Sequence, residues 1–160
     1  MPVIRHSIIV IILLVVQAAV GRFIAIGQIQ PNLLTIYVIY MTLCRGARDG
    51  IWIGLIIGII LDIVTTQFLG VSSLSFAITC IIIGKLHEVW PTSSRLSWIG
   101  WLLGGTLLHG LVYFYFYASG TYLSFGKLLC NYALLSAIYT TILGAVWSIT
   151  PWWKPLIKRG

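Results

Sequence analysis

The sequence predicts an all-α polytopic membrane protein, a single transmembrane domain over residues 1–160 whose six helices leave both termini on the cytoplasmic side. Three observations carry this. Of 160 residues, 59% are hydrophobic and 8% charged, and a mean hydropathy of +1.02 excludes water as the main solvent. Apolar runs approaching the roughly 20 residues that cross about 30 Å of hydrocarbon recur from Ile8 to Ile149. Lys and Arg gather on alternate connections, as positive charge does on the cytoplasmic side of membrane proteins.

The first span is placed near 7–26. Arg5 and His6 before its apolar stretch and Ala18-Ala19 after it resemble a signal peptide. The stretch ends at Arg22 and then resumes, so a retained helix is expected. Gln28 to Asn32 leads into a second span near 32–44, and Arg45 to Asp49 into a third near 50–64. Thr65 to Gln67 with Gly70 precedes a fourth near 72–86, and His87 to Ser97 a fifth near 97–117. Ser119 to Ser124 precedes a sixth near 126–149, and Pro151 to Lys158 forms the exit.

Six spans place Arg5, Arg45, Arg48, Lys85, Arg95, Lys154, Lys158 and Arg159 on one side, against Arg22 and Lys127 on the other. An odd number would put the C-terminal basic cluster opposite Arg5. Aromatic placement agrees: Trp90, Trp98, Trp147, Trp152 and Trp153 fall at the inner interface, and Tyr113 to Tyr117 with Tyr122 at the outer one.

The net charge of +7 could suggest nucleic acid, but the basic residues lie singly or in small groups between apolar runs. Anionic lipids at the cytoplasmic face are the expected counter-charge, and no nucleic-acid partner is expected. Cys44, Cys80 and Cys130 are far apart and form no ligand-spaced pair, so they read as small packing residues. No nucleotide-binding loop, zinc motif, paired acids or Ser/His/Asp pattern is found, so no catalytic residue, metal or cofactor is expected. Glu88 with Lys85, His87 and Arg95 reads as a solvated interfacial cluster.

The second and third spans depart from a plain bundle. The intervals Asn32 to Arg45 and Asp49 to Asp62 each rise about 20 Å of a 30 Å core, which predicts a thinned bilayer or a recess on the outer side. Pro31, Asn32, Thr65, Thr66, Gln67 and Gly70 would line that recess. In the third span Gly46, Gly50, Gly54, Gly58 and Asp62 recur every fourth residue on one helical stripe. Such a stripe lets another backbone approach closely, either a helix of the same bundle or a partner's. Gly100 and Gly104 form a single GxxxG, read as internal packing.

Asp62 is the acid inside a predicted span, where an ionised carboxylate costs about 2.5 to 3.5 kcal/mol. Three readings stay open: a structural acid bonded to Thr65, Thr66 or Gln67, a polar contact organising the recess for a partner, or a proton relay. His109, lone in the fifth span, reads as a satisfied packing residue, and Gln17 and Asn131 as interhelical hydrogen-bonders.

The run Pro31-Asn32-Leu33, the apolar second span, Gly46, the Gly50/Gly54/Gly58 stripe, Asp62, and then Leu69-Gly70-Val71 with Leu74 resembles the rod shape-determining protein MreD family. The resemblance covers residues 31–86 in detail and the remainder through span count, length and topology. The family pattern places an acid after the proline; Asn32 stands there, which leaves open any role that needs charge. The resemblance implies a non-enzymatic inner-membrane scaffold of the bacterial cell-elongation machinery that supports peptidoglycan synthesis and cell shape. Its implied direct partner is the bitopic protein MreC and, through it, actin-like MreB and the peptidoglycan synthase pair. It also implies a fold similar to the six-helix substrate-binding subunits of energy-coupling-factor vitamin transporters, which makes such a subunit the alternative function. Those subunits show an AxxxA spacing in their first helix, and Ser7 to Ala25 carries none.

Overall fold

The computed structural model describes residues 10–17, 32–65, 70–92, 94–119 and 134–147. Among these residues every regular element is helical and no strand occurs. The segments are α1 (10–17), α2 (Leu33–Arg45), α3 (Ala47–Thr65), α4 (Val71–Val89), α5 (Arg95–Ser119) and α6 (Leu134–Trp147). Helices α4 and α5 are long and apolar enough to cross a membrane, which fits a membrane protein.

Local chemistry explains the boundaries. Asn32 caps α2 by accepting the Thr35 N–H on its side-chain oxygen. The helix stops at Gly46, whose φ of +94° few side-chain-bearing residues adopt. Helix α3 begins one residue later. Its 19 residues rise about 28 Å, which corrects the expectation of an abbreviated third span. Arg48 and Asp49 do not break the helix, and Asp49 in its first turn faces the positive end of the helix dipole. At the head of α5, Ser94 accepts the Ser97 N–H on its hydroxyl and the Trp98 N–H on its carbonyl.

Short turns make successive helices antiparallel neighbours from α2 to α5, and α3 with α4 is the most extensive pair. Helix α2 is the centre of the bundle. Leu34 to Ile39 and Met41 to Leu43 are buried, and the helix meets α3, α4, α5 and α6. Val10, Leu13 and Leu14 of α1 pack on the cluster formed by Leu34, Tyr37, Val38, Met41, Ile57, Phe76 and Cys80. A second cluster joins Ile36, Ile39 and Leu43 to Ile83, Trp98 and Leu102. At 13 residues α2 is indeed short, and its enclosure explains how it can be: a helix sheathed by others need not match the hydrocarbon thickness itself.

Several buried hydroxyls are satisfied locally, whereas among the described residues Thr35 Oγ1 and Trp98 Nε1 are buried without a hydrogen-bond partner. The hydroxyls of Thr42, Thr79, Thr106 and Thr141 donate to carbonyls of Val38, Ser75, Leu102 and Ala137, each four residues back on the same helix.

Candidate functional site

The glycine stripe of α3 is a seam between three helices of this chain. A Cβ on Gly50 would lie 3.0 Å from the Thr42 Cα of α2, and one on Gly58 only 2.3 Å from the Ser73 Cα of α4. At Gly54 it would meet both neighbours, Phe76 at 3.1 Å and Val38 at 3.4 Å. The seam continues at the far end of α4, where a Cβ on Gly84 would lie 2.3 Å from the Cβ of Ala47. Backbones this close gain dispersion contacts that lipid cannot supply. Gly100 and Gly104 behave differently. Both are exposed, and among the described residues nothing lies within 4 Å of a would-be Cβ, so no described helix packs on that pair.

Asp62 closes the end of the seam remote from the α2–α3 turn. Its carboxylate is buried and takes the Gly70 N–H at 2.8 Å on Oδ2 and the Ser72 N–H at 3.2 Å on Oδ1. Gly70, left-handed at φ +97°, is the N-cap of α4, and its own carbonyl accepts the Ser73 hydroxyl at 3.0 Å. Helix α3 thus supplies the acid that covers the exposed donors and positive dipole at the start of α4. The charge that is costly in hydrocarbon is stabilised where two backbone donors converge.

The start of α2 has the same need and a neutral solution. Asn32 N–H donates to the Thr140 hydroxyl of α6 at 3.1 Å, and Leu34 N–H to the Gln17 side-chain oxygen of α1 at 3.3 Å. With the Asn32 cap, three side chains from three elements cover one helix terminus. Between α4 and α5, the Ser75 hydroxyl donates to the His109 carbonyl at 2.9 Å and its oxygen lies 2.9 Å from His109 Nδ1. With that hydroxyl proton on the carbonyl, Nδ1–H is the donor of the second bond. The His109 ring stacks on Phe76 with centroids 4.2 Å apart. Both side chains of this pair are buried, and Asp62 lies within electrostatic reach of His109 and Tyr113.

The sequence-selected residues therefore divide. Gly50, Gly54, Gly58, Asp62 and Gly70 form one continuous contact between α3, α2 and α4, and Asn32 belongs to the neighbouring cap of α2. Pro31, Thr66, Gln67 and Asn131 lie outside the described residues, as does the side chain of Thr65. Asp62 finds donors in the backbone of Gly70 and Ser72, while the expected Thr65, Thr66 and Gln67 side-chain partners lie outside the described residues. Missed altogether were Ser73, Gly84 and Ala47, the small residues opposite the stripe, and the Ser75 partner of His109. The spacing Ser73, Ala77, Gly84 on α4 was a usable signal for the first group.

A family model described as rod shape-determining protein MreD matches residues 3–158. The chain belongs to the MreD family. Searches among curated proteins and among solved structures give no match. Family membership gives this MreD-family chain a rod-shape-determining role, and the family is one of shape-determining structural proteins. The match takes in every helix described above, so the glycine seam and the two capped termini are features of an MreD chain.

Proposed function

We propose that this chain is a non-enzymatic scaffold of the cell-elongation machinery, crossing the cytoplasmic membrane six times with both termini inside, and that it holds MreC directly. Through MreC it connects to MreB and the peptidoglycan synthase pair. The family match carries the rod-shape role. The observation that favours a scaffold over a small-molecule carrier is the use made of the polar groups at the outer end. Gln17, Asn32, Asp62, Thr140 and His109 each hold a partner within the chain, so the side chains a recess would offer to a vitamin serve to close helix ends and seams.

Native mass spectrometry of the protein purified with its membrane partners tests this. The expected outcome is a retained MreC chain and no competable small-molecule ligand. A bound vitamin that excess ligand displaces, with MreC absent, would overturn the scaffold reading in favour of a transporter substrate-binding subunit.

A further inference from the structure

The end of α4 and the start of α5 present apolar side chains outward beside backbone that is hydrogen-bonded at Trp90, Thr92 and Ser94. Val89 and Trp90 are each 70% exposed and Leu96 is 82% exposed, while Leu86 behind them is 43% exposed. These are not the side chains of a frayed turn. The Trp90 N–H donates to the Leu86 carbonyl at 2.9 Å, and the buried Thr92 donates its N–H to His87 Nε2 at 3.1 Å. The His87 ring meets Trp101 of α5 edge-on at 5.8 Å. With Thr92 drawn inward and Ser94 capping α5, the turn holds Val89, Trp90 and Leu96 away from the bundle.

Charge surrounds these side chains. Lys85 and Arg95, both exposed, stand on the two limbs of the hairpin. The α2–α3 turn lies at the same end of the bundle, since Gly84 abuts Ala47, and it adds exposed Arg45 and Arg48. Against these four stand Asp49 and Glu88, so this end is net positive among the described residues. An indole with aliphatic neighbours and flanking cations matches a membrane interface, where the ring sits at headgroup level and long basic side chains reach the phosphates.

We infer that the α4–α5 tip is an anionic-lipid contact: Val89, Trp90 and Leu96 enter the interfacial layer and Lys85 and Arg95 hold headgroup phosphates. Lipid is favoured over a cytoplasmic protein because one face of α4 carries exposed Leu74, half-buried Ile78, and exposed Ile81, Ile82 and Leu86 on the way into the tip. One surface is thereby continuous from helix to turn. The inference rests on the membrane-spanning reading and not on the binding of MreC.

The test uses the full chain in nanodiscs of phosphatidylcholine carrying a minority of lipid brominated near the headgroup, either phosphatidylglycerol or phosphatidylcholine. The Trp90 contribution to fluorescence is the difference between the natural chain and Trp90→Phe. Brominated phosphatidylglycerol is expected to quench that contribution about twofold or more beyond brominated phosphatidylcholine. Lys85→Gln with Arg95→Gln should abolish the difference, and Lys85→Gln alone should reduce it; thermal midpoints verify that each variant is folded. Equal quenching by both lipids would overturn the anionic contact. Quenching by neither would place the tip in water and make it a surface for a cytoplasmic protein. MreC retention is measured separately, so failure here leaves the scaffold proposal standing.

Discussion

Asp62 illustrates how an acid survives inside an apolar protein. Both carboxylate oxygens accept a backbone N–H, and neither donor has another use at the start of a helix. Replacing Asp62 by Asn keeps the shape but turns one acceptor into an NH2 group facing an N–H, besides removing the charge that answers the helix dipole. A loss of about 1–3 kcal/mol is expected, read as a lower thermal midpoint in nanodiscs. An unchanged midpoint would show that the carboxylate is not needed as a cap. The sequence made Asp62 conspicuous, because an acid in an apolar run stands out by composition alone. Its donors were not legible: backbone N–H groups have no letter of their own, and Thr65, Thr66 and Gln67 were the nearer polar letters. The Ser75–His109 pair was hidden for a related reason, since 34 positions separate two residues that each look isolated on an apolar helix.

At the scale of helices, the four-residue spacing of GxxxG separates into filled and open cases. Gly58→Ala is expected to destabilise the protein, because the added methyl would lie 2.3 Å from the Ser73 Cα and α4 would have to move. Gly104→Ala meets nothing within 4 Å among the described residues and should be neutral or gain up to about 1 kcal/mol of helix propensity. Thermal midpoints of the two variants, side by side, check this, and equal losses would contradict the geometry. The four-residue period on α3 was plain in the sequence, as were the Asn32 start and Gly46 end of α2. What faced the stripe was not, because the period identifies a face and says nothing about its neighbour. The third span was underestimated for a simpler reason: Asp49 and Asp62 were treated as ends, whereas one sits in a first turn and the other accepts hydrogen bonds from a neighbour's terminus.

For the whole molecule, the distribution of charge and the antiparallel order of helices make the proposed orientation testable. The α2–α3 and α4–α5 turns share one end and carry Arg45, Arg48, Lys85 and Arg95, while the caps involving Asn32 and Asp62 lie at the other. If positive charge stays inside, alkaline phosphatase fused after residue 119 should be active and the same enzyme fused after residue 92 inactive. The opposite pattern would invert the proposed topology. Composition made the helical membrane class legible from the start, because 8% charge leaves few alternatives. The central position of α2 was not, since its apolarity on every face reads equally as exposure to lipid.

The cap of α2 also bears on how the chain is assembled as it is synthesised. The N–H of Asn32 is answered by Thr140, 108 positions further along. A ribosome releases the donor well before the acceptor, so until α6 is made this one N–H lacks its native partner, while Gln17 and Asn32 can already answer its neighbours. Full closure of the α2 terminus therefore requires α6 and comes later than the packing of α2 against α3 and α4 can begin.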